Sequence, residues 1–474
     1  MRNFHATRYK RAYPLVYALC LSVMLGVFSG CGGGAIYGPK QPLPEVVDGC
    51  EYEILMGPFP PVILHCHEVH DLGTVRSDAR VEIRVRETAE ATHLDLSGFR
   101  NLATLKIDNG NIKALDLSRN SGLHDVELDM PGLVDLRLPA IQIGSVTLRN
   151  MPMLTELDTS GTQINRLILG GNLGFDVKSP LSHTEIWDLV LSQLDLTEIS
   201  LAQLENLEVL SLFDCEFQDL NWPTQLRELW ISGGGTTELD LSGGRVRRVT
   251  LTSTAIQSLR LSEYESGIIQ VTNHNAETLK VSGEKSAITL GITGGKIENL
   301  DLQENNNLKE LSVIDALATA QIILPSDAPL TEIALKNLSL SELDIPSYET
   351  LKRLDIQYVP MANLTGGILN NLSELNLVGT SLTEIPLSTM PNLSTLQIAE
   401  HELSSLDLSG NRNITFLWLL DVHGFTDLDL SHLGLIYLSI KESDLSCDSL
   451  QTVADQFAAL RESGHLYLGD LSRC

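Results

Sequence analysis

Aromatic side chains are scarce in this sequence. Phe, Trp and Tyr make up 5% of 474 residues, with only four Trp, although 43% of the residues are hydrophobic. The interior must therefore be built from Leu, Ile and Val. A chain this long exceeds one compact core of ordinary proportions, so that interior is repeated and not concentrated. Positive charge is scarce as well: 33 Lys and Arg face 61 Asp and Glu, for a formal net charge of −28. Such a chain repels nucleic acid and anionic lipid headgroups. No basic stripe offsets the imbalance, which excludes nucleic-acid binding.

Catalytic signatures are missing too. There is no GxSxG elbow, no P-loop and no EF-hand loop. The glycine clusters SGGG, LSGG and TGG fall at turns, not between a strand and a long helix. The stretch "HCHEVH" at 65–70 places His65 and His67 on one strand face and Glu68 and His70 on the other. Its spacing is HExH, not the HExxH that sets two histidines on one helical face, and a metal site would need a third ligand from elsewhere. A hidden catalytic domain needs about 100 residues outside any repeat, and the flanks are too short. No enzyme, metal or cofactor is expected.

The N-terminus has the layout of a secretory signal peptide. "MRNFHATRYKR" carries four positive residues and no negative one, and "AYPLVYALCLSVMLGVFSG" follows as an apolar run. The run ends at "FSGC", and Cys31 is followed by "GGGAIYGPKQPLPE". This resembles a bacterial lipobox. The resemblance implies residues 1–30 as a leader, cleavage before Cys31, and lipid on that cysteine, with each buried methylene contributing about 0.8 kcal/mol of membrane affinity. Residues 31–49 then form a tether whose Gly32–Pro44 part reaches on the order of 40 Å when extended. No acidic residue stands beside Cys31. By analogy with Gram-negative sorting this favours the outer membrane, and an extracytoplasmic place on the envelope or surface of a bacterium. Of seven cysteines, Cys20 leaves with the leader. Cys50 and Cys66 flank one short segment, and Cys447 and Cys474 another. Two local disulfides are the simplest pairing in an oxidising compartment, with other connectivities open. Cys215 is left single.

What the sequence has in abundance is one pattern. LDLS begins at Leu94, Leu115, Leu239, Leu406 and Leu428, and apolar-x-apolar triplets recur along the chain at steps of mostly 10 or 11 residues. Such a triplet is a short strand whose apolar pair points inward and whose middle residue points outward. A further apolar residue, such as Ile112, Leu123 or Leu133, fills each corner. Two triplets and two turns make one coil, and no coil buries its leucines alone, so neighbours must stack. About seventeen coils at ~4.8 Å spacing give a length of roughly 80 Å.

The stretch "LKIDNGNIKALDLSRNSGLHDVEL" resembles the 21-residue leucine-rich repeats of bacterial surface proteins, with their LxxLxLxxNxLxxLDLSxN layout. The resemblance implies a mostly β, α/β-type solenoid, a right-handed coil with two short parallel sheets, over residues 91–445. It also implies caps at 50–90 and 446–474. The usual Asn after the first strand is replaced by Gly110, Pro131, Cys215, Thr254, Thr380 and His401, and kept at Asn172. Cys215 thus reads as a buried substitute for Asn. In the C-terminal cap, Leu450, Val453, Ala454, Phe457 and Leu460 recur at helical spacing, with Ser446 or Asp448 to cap the start, Gly464 to end it, and "HLYL" as a final strand.

Alternate triplets give two outer faces. One carries Asp95, Asp116, Arg137, Asp158, Asp240, Arg260, Lys280, Asp301, Asp407 and Asp429. The other is largely uncharged: Lys106, Glu127, Thr147, Ile168, Val190, Ser211, Trp230, Thr250, Gln270, Thr289, Ser312, Ala334, Asp355, Asn376, Gln397, Trp418 and Ser439. Phe213 and Leu420 point outward there as well. Exposed aromatics on a rigid sheet are favoured interface anchors, so Phe213, Trp230, Trp418 and Leu420 are the candidate residues for a protein or polysaccharide partner. This face corresponds to the concave, ligand-binding side of the family. The expectation is a monomeric recognition scaffold. The alternatives are a structural envelope protein, or an enzyme or metal-binding protein with an unrecognised constellation.

Overall fold

The computed structural model describes residues 50–54, 62–66, 81–85, 94–108, 112–173, 185–197, 199–218, 220–242, 244–261, 267–282, 288–469 and 474. The leader, Cys31, the tether, His67, Glu68, His70 and Gly110 lie outside them. The chain is a parallel β-solenoid of about 16 turns of about 21 residues.

The first triplet of each coil enters one continuous 21-stranded sheet. Cys50–Ile54 opens it, antiparallel to Val62–Cys66. Parallel pairing then runs through Val81–Val85 and Leu102–Asp108, coil by coil, to Tyr437–Ser443 and finally Leu466–Leu468. Burial follows the two-residue period: Leu210 and Leu212 are fully buried, while Ser211 and Phe213 between and beyond them are not. The corner residues Ile112, Leu123 and Leu133 are buried too. Each such side chain contributes about 1.5–3 kcal/mol, most of it available only when the neighbouring coil is present.

The second triplets do not form a matching sheet, which corrects the expectation of two. They form a three-stranded, a five-stranded and a two-stranded ladder, of which the first joins Ala114–Asp116, Asp135–Arg137 and Glu156–Asp158. The cause is local. In LDLS coils the aspartate accepts a hydrogen bond from the backbone N–H two residues on: Ser97 N to Asp95 Oδ1 at 2.9 Å, Ser118 to Asp116 at 2.9 Å, and Ser409 to Asp407 at 2.9 Å. This Asx turn ends the strand almost as it starts. Where Pro386 occupies the middle position, a 3-10 turn over Leu387–Thr389 replaces the strand, since proline has no N–H for a ladder.

Two positions in the outward columns shift. Gly291, not Thr289, lies opposite Gln270 and Ser312. Lys280 lies opposite Ser258, and Ser282 takes the place opposite Arg260. In the first case Ile288-Thr289-Leu290 and Leu290-Gly291-Ile292 are both acceptable triplets two residues apart, and stacking selects one.

The position after the sheet strand is internal, and its substitutions are structural. Cys215 is buried and its Sγ donates to Leu191 O at 3.4 Å; burial raises its thiol pKa. Thr254 Oγ1 lies 3.1 Å from His274 Nδ1 one coil on, and Thr380 Oγ1 bonds Nε2 of His401, whose Nδ1 faces Ala399 O at 2.7 Å. Asparagines do the equivalent work after the second triplet: Asn411 Nδ2 donates to Leu387 O and Met390 O at 3.1 and 2.8 Å, and Asn120 Nδ2 to Leu96 O and Phe99 O.

One repeat was not anticipated. The residue that ends the sheet strand is left-handed in coil after coil: Asn150, Gln193, Asp214, Ser253, Asn273, Asp315, Asn337, Tyr358, Glu400, Asp421 and Glu442 all have φ of 50–56°, with glycine at 171, 233, 294 and 379. Its N–H reaches the next coil, as Gln193 N to Phe213 O at 2.8 Å and Tyr358 N to Val378 O at 2.7 Å.

At the C-terminal end, helix Cys447–Gln456 is capped by Ser446, whose hydroxyl accepts from Ser449 N, and buries Leu450, Val453 and Ala454. A short helix, Ala458–Glu462, leads to Gly464 at φ 76° and the last strand. Cys447 and Cys474 are disulfide-bonded. At the other end Cys66 is disulfide-bonded, and the backbone register sets Cys50 opposite it.

Candidate recognition surface

Strand Phe416–His423 presents Phe416, Trp418 and Leu420 on its outward face, because Leu417 and Leu419 take the two inward positions. The register puts Tyr437 opposite Phe416 and Tyr467 opposite Ser439 on the last strand. Four rings then form a row across three strands. Phe416 stacks on Trp418 at 6.0 Å and 11°, Trp418 meets Tyr437 at 5.0 Å, and Tyr437 meets Tyr467 at 5.7 Å. Phe416 is 37% and Tyr467 54% exposed, and Trp418 and Tyr437 lie half-buried between them. Ring pairs at these separations hold one another in place, so the row is preorganised without being covered. Phe416, Tyr437 and Tyr467 escaped the sequence reading. Phe416 and Tyr437 stand just before the first inward residue of their triplets, and Tyr467 belongs to a cap strand that joins the sheet after a helix.

The other pair is arranged differently. Phe213 is 42% and Trp230 39% exposed, on neighbouring strands. Trp230 lies opposite Ser211 and Phe213 opposite Ser232, two residues apart along the strand, and no ring pair joins them among the described residues. They are two separate apolar contacts. Trp222 shows the contrasting use of an aromatic: its Nε1 donates to Asp240 O at 2.7 Å and its ring meets Phe217 edge-on at 6.2 Å, so it is built into a turn.

Several charged groups elsewhere on the sheet face are closed among themselves. Asp355 is buried and bonded by Lys336 Nζ at 3.0 Å, Asn376 Nδ2 at 2.8 Å and Gln357 Nε2 at 2.7 Å. Arg353 sits between Glu332, Asp355 and Glu374. Lys106 pairs with Glu127 at 3.1 Å. His423 bridges Asp444 and Asp421 at 2.9 Å each, and these hydrogen bonds raise its pKa. Among the described residues, no group of three or more His, Cys, Asp or Glu is placed to hold a metal ion.

The aspartate column is likewise engaged. Hydrogen bonds from the hydroxyl and backbone N–H of Ser118 hold Asp116 below the ordinary carboxylate range, and those of Ser160, Ser409 and Ser431 do so for Asp158, Asp407 and Asp429. Arg260 reaches Asp240 at 3.8 Å. The recurring aspartate is a turn-former whose charge also faces water.

No protein-family model and no curated protein matches the chain. Matches to solved structures are distant. A chain of the LRIM1/APL1C complex is 14% identical at a TM-score of 0.40, the match covering 85% of this chain and 66% of that one. The APL1 leucine-rich repeat domain is 12% identical at a TM-score of 0.32, covering 83% and 90%. An LRR protein of Leptospira interrogans is 16% identical at a TM-score of 0.28, covering 80% and 88%. At these scores they say nothing of what this chain binds.

Proposed function

We propose that this chain is a non-enzymatic recognition scaffold, held at a bacterial cell envelope by lipid on Cys31, that takes a protein or polysaccharide partner on the outward face of its continuous sheet. The observation that carries the reading is the row Phe416, Trp418, Tyr437 and Tyr467. Its rings support one another, yet the outer two, Phe416 and Tyr467, stay 37% and 54% exposed. Aromatic groups on a rigid frame lose little ordering entropy on binding, and they suit both apolar side chains and sugar ring faces. Leu420 extends the patch along the strand; Phe213 and Trp230 give a second, weaker contact on the same sheet.

The test is crosslinking in the native cell with identification of the captured partners. Trp418→Ala combined with Tyr437→Ala is expected to remove a specific partner. If the double variant keeps every crosslink of the unaltered chain, the site is wrong and a structural envelope role without a discrete ligand takes its place. Cys31→Ser is expected to release the protein from the membrane fraction; equal retention would remove the lipid anchor from the proposal.

A further inference from the structure

In a chain of net charge −28, a cluster of four cations is unexpected. A cleft of about 420 Å³ is lined by Arg227, Arg247, Arg248 and Lys309, with Glu228, Gly267, Ile268 and Thr289. No run of the sequence contains these cations together. Arg227 and Lys309 are brought to the Arg247–Arg248 pair by stacking of successive coils. Arg227 lies 3.5 Å from Glu208, both well exposed. Arg247, Arg248 and Lys309 make no ion pair among the described residues, although Glu228 lies opposite Arg248 in register. Glu310, beside Lys309, is engaged by Thr289 Oγ1 at 3.2 Å. The contrast with Lys106, Lys336 and Arg353, all matched to carboxylates, marks the cleft as open to an anion from outside.

Its geometry narrows that anion. Arg248 lies opposite Ile268, Ile268 opposite Thr289, and Thr289 opposite Glu310. Three strand spacings separate the arginine end from the lysine end, about 14 Å along the solenoid. Between the ends the floor is Ile268, 38% exposed, and Gly267, which withholds a side chain. An extended peptide advances about 3.4 Å per residue, so carboxylates four residues apart span the two ends with an apolar side chain over Ile268. The lining has no aromatic ring on which a sugar could stack. The guanidinium fork matches a carboxylate in two hydrogen bonds. At physiological ionic strength, repulsion from the chain's distant carboxylates is screened beyond about 8 Å, while the cleft's cations act at contact.

We infer that this cleft is a docking site for an extended acidic peptide segment of a partner protein, with carboxylates on either side of an apolar residue. It is independent of the aromatic row, which lies on later strands.

The experiment titrates a fluorescently labelled peptide, Glu-Ser-Leu-Thr-Glu with blocked ends, into the purified full chain at low salt. The same peptide with both Glu replaced by Gln and an oligogalacturonate are run in parallel. Saturable binding of the acidic peptide is expected, weakened at least about tenfold by Arg247→Glu with Arg248→Glu and by added salt. It is expected to weaken less with Lys309→Gln and to be unaffected by Trp418→Ala. These arginines are surface groups, and an unchanged thermal midpoint checks folding. Absence of saturable binding overturns the proposal. So do equal binding of the Gln peptide, indifference to the charge reversal, and preference for the oligogalacturonate. Loss of binding in Trp418→Ala would merge the two sites and overturn their independence.

Discussion

The aspartate column and the aromatic row both face outward from the same coils, and they differ in whether the coil itself uses them. Asp116 and Asp407 each accept the N–H of a serine two residues on, at 2.9 Å, inside their own turn. Phe416 and Tyr467 make ring contacts with Trp418 and Tyr437 and leave much of their surface to solvent. A residue that recurs with its partner in coil after coil is accounted for by the repeat. A cluster that occurs once, and that the repeat does not need, calls for a partner outside the chain. The buried Thr–His pairs belong with the aspartates in this respect, since they fill the turn interior that asparagine fills elsewhere.

The comparison is tested most severely beneath the row. Leu417→Ala, one residue from Trp418 but inward, should cost about 2–5 kcal/mol in chemical denaturation, because it leaves a cavity between stacked coils. Trp418→Ala should cost far less stability while removing the partner. A similar stability loss from both would mean that the row is core after all.

Next in size is Asn411→Ala. It strips two buried carbonyls, Leu387 O and Met390 O, of their donor, and should cost about 1–3 kcal/mol by the same measurement.

The pH dependence follows from the buried histidines. Burial lowers the pKa of His274 and His401 from 6.5, so the unfolded chain takes up protons there that the folded chain does not. Their stability contribution is intact above pH 6.5 and declines as pH falls below it, down to their folded values. His423, with a raised value, works in the opposite sense: its contribution is present below 6.5 and lost as pH rises through its folded value. Denaturation midpoints between about pH 7 and pH 5 should therefore flatten in the decline when His274→Asn and His401→Asn are combined. The aspartates act lower. With folded values below 3.8, their contribution is present above that point and lost as pH falls through the folded values.

Smaller effects separate turn-forming from charge. Asp116→Asn keeps an acceptor for Ser118 N, and Asp116→Ala does not. Only the alanine should lose stability, by less than about 1 kcal/mol at this exposed site. Gln193→Gly should raise the thermal midpoint slightly. It removes left-handed strain of about 1–2 kcal/mol and is offset by about 0.5–1 kcal/mol of added backbone freedom in the unfolded chain.

Much of this was legible before any coordinates. The triplets gave the strands, the inner leucines and most of the outward column, and the amphipathic stretch after Ser446 gave the cap helix. The left-handed column was also legible. Asn, Asp or Gly stands four residues after most triplet starts of the continuous sheet, as at Asn150, Asp214, Asn273, Asp315, Asn337 and Gly379. It passed unnoticed because polar turn residues look interchangeable until their φ is known. The aromatic row was half visible: Trp418 fell in the followed column, whereas Phe416, Tyr437 and Tyr467 needed the register.

The sequence alone determined the coil, because the alternation of apolar and polar residues has only one way to bury its leucines, against copies of itself. Tertiary structure decided what stacking brings together. It made one continuous sheet on one face and three short ladders on the other, where Pro386 replaces one strand by a 3-10 turn. It placed Tyr467 beside Tyr437 after a helical detour, and it gathered Arg227, Arg247, Arg248 and Lys309 into one cleft in an anionic chain. Strand register fixes such neighbours to within one coil spacing, and a shift of two residues leaves the hydrophobic pattern of each strand unchanged.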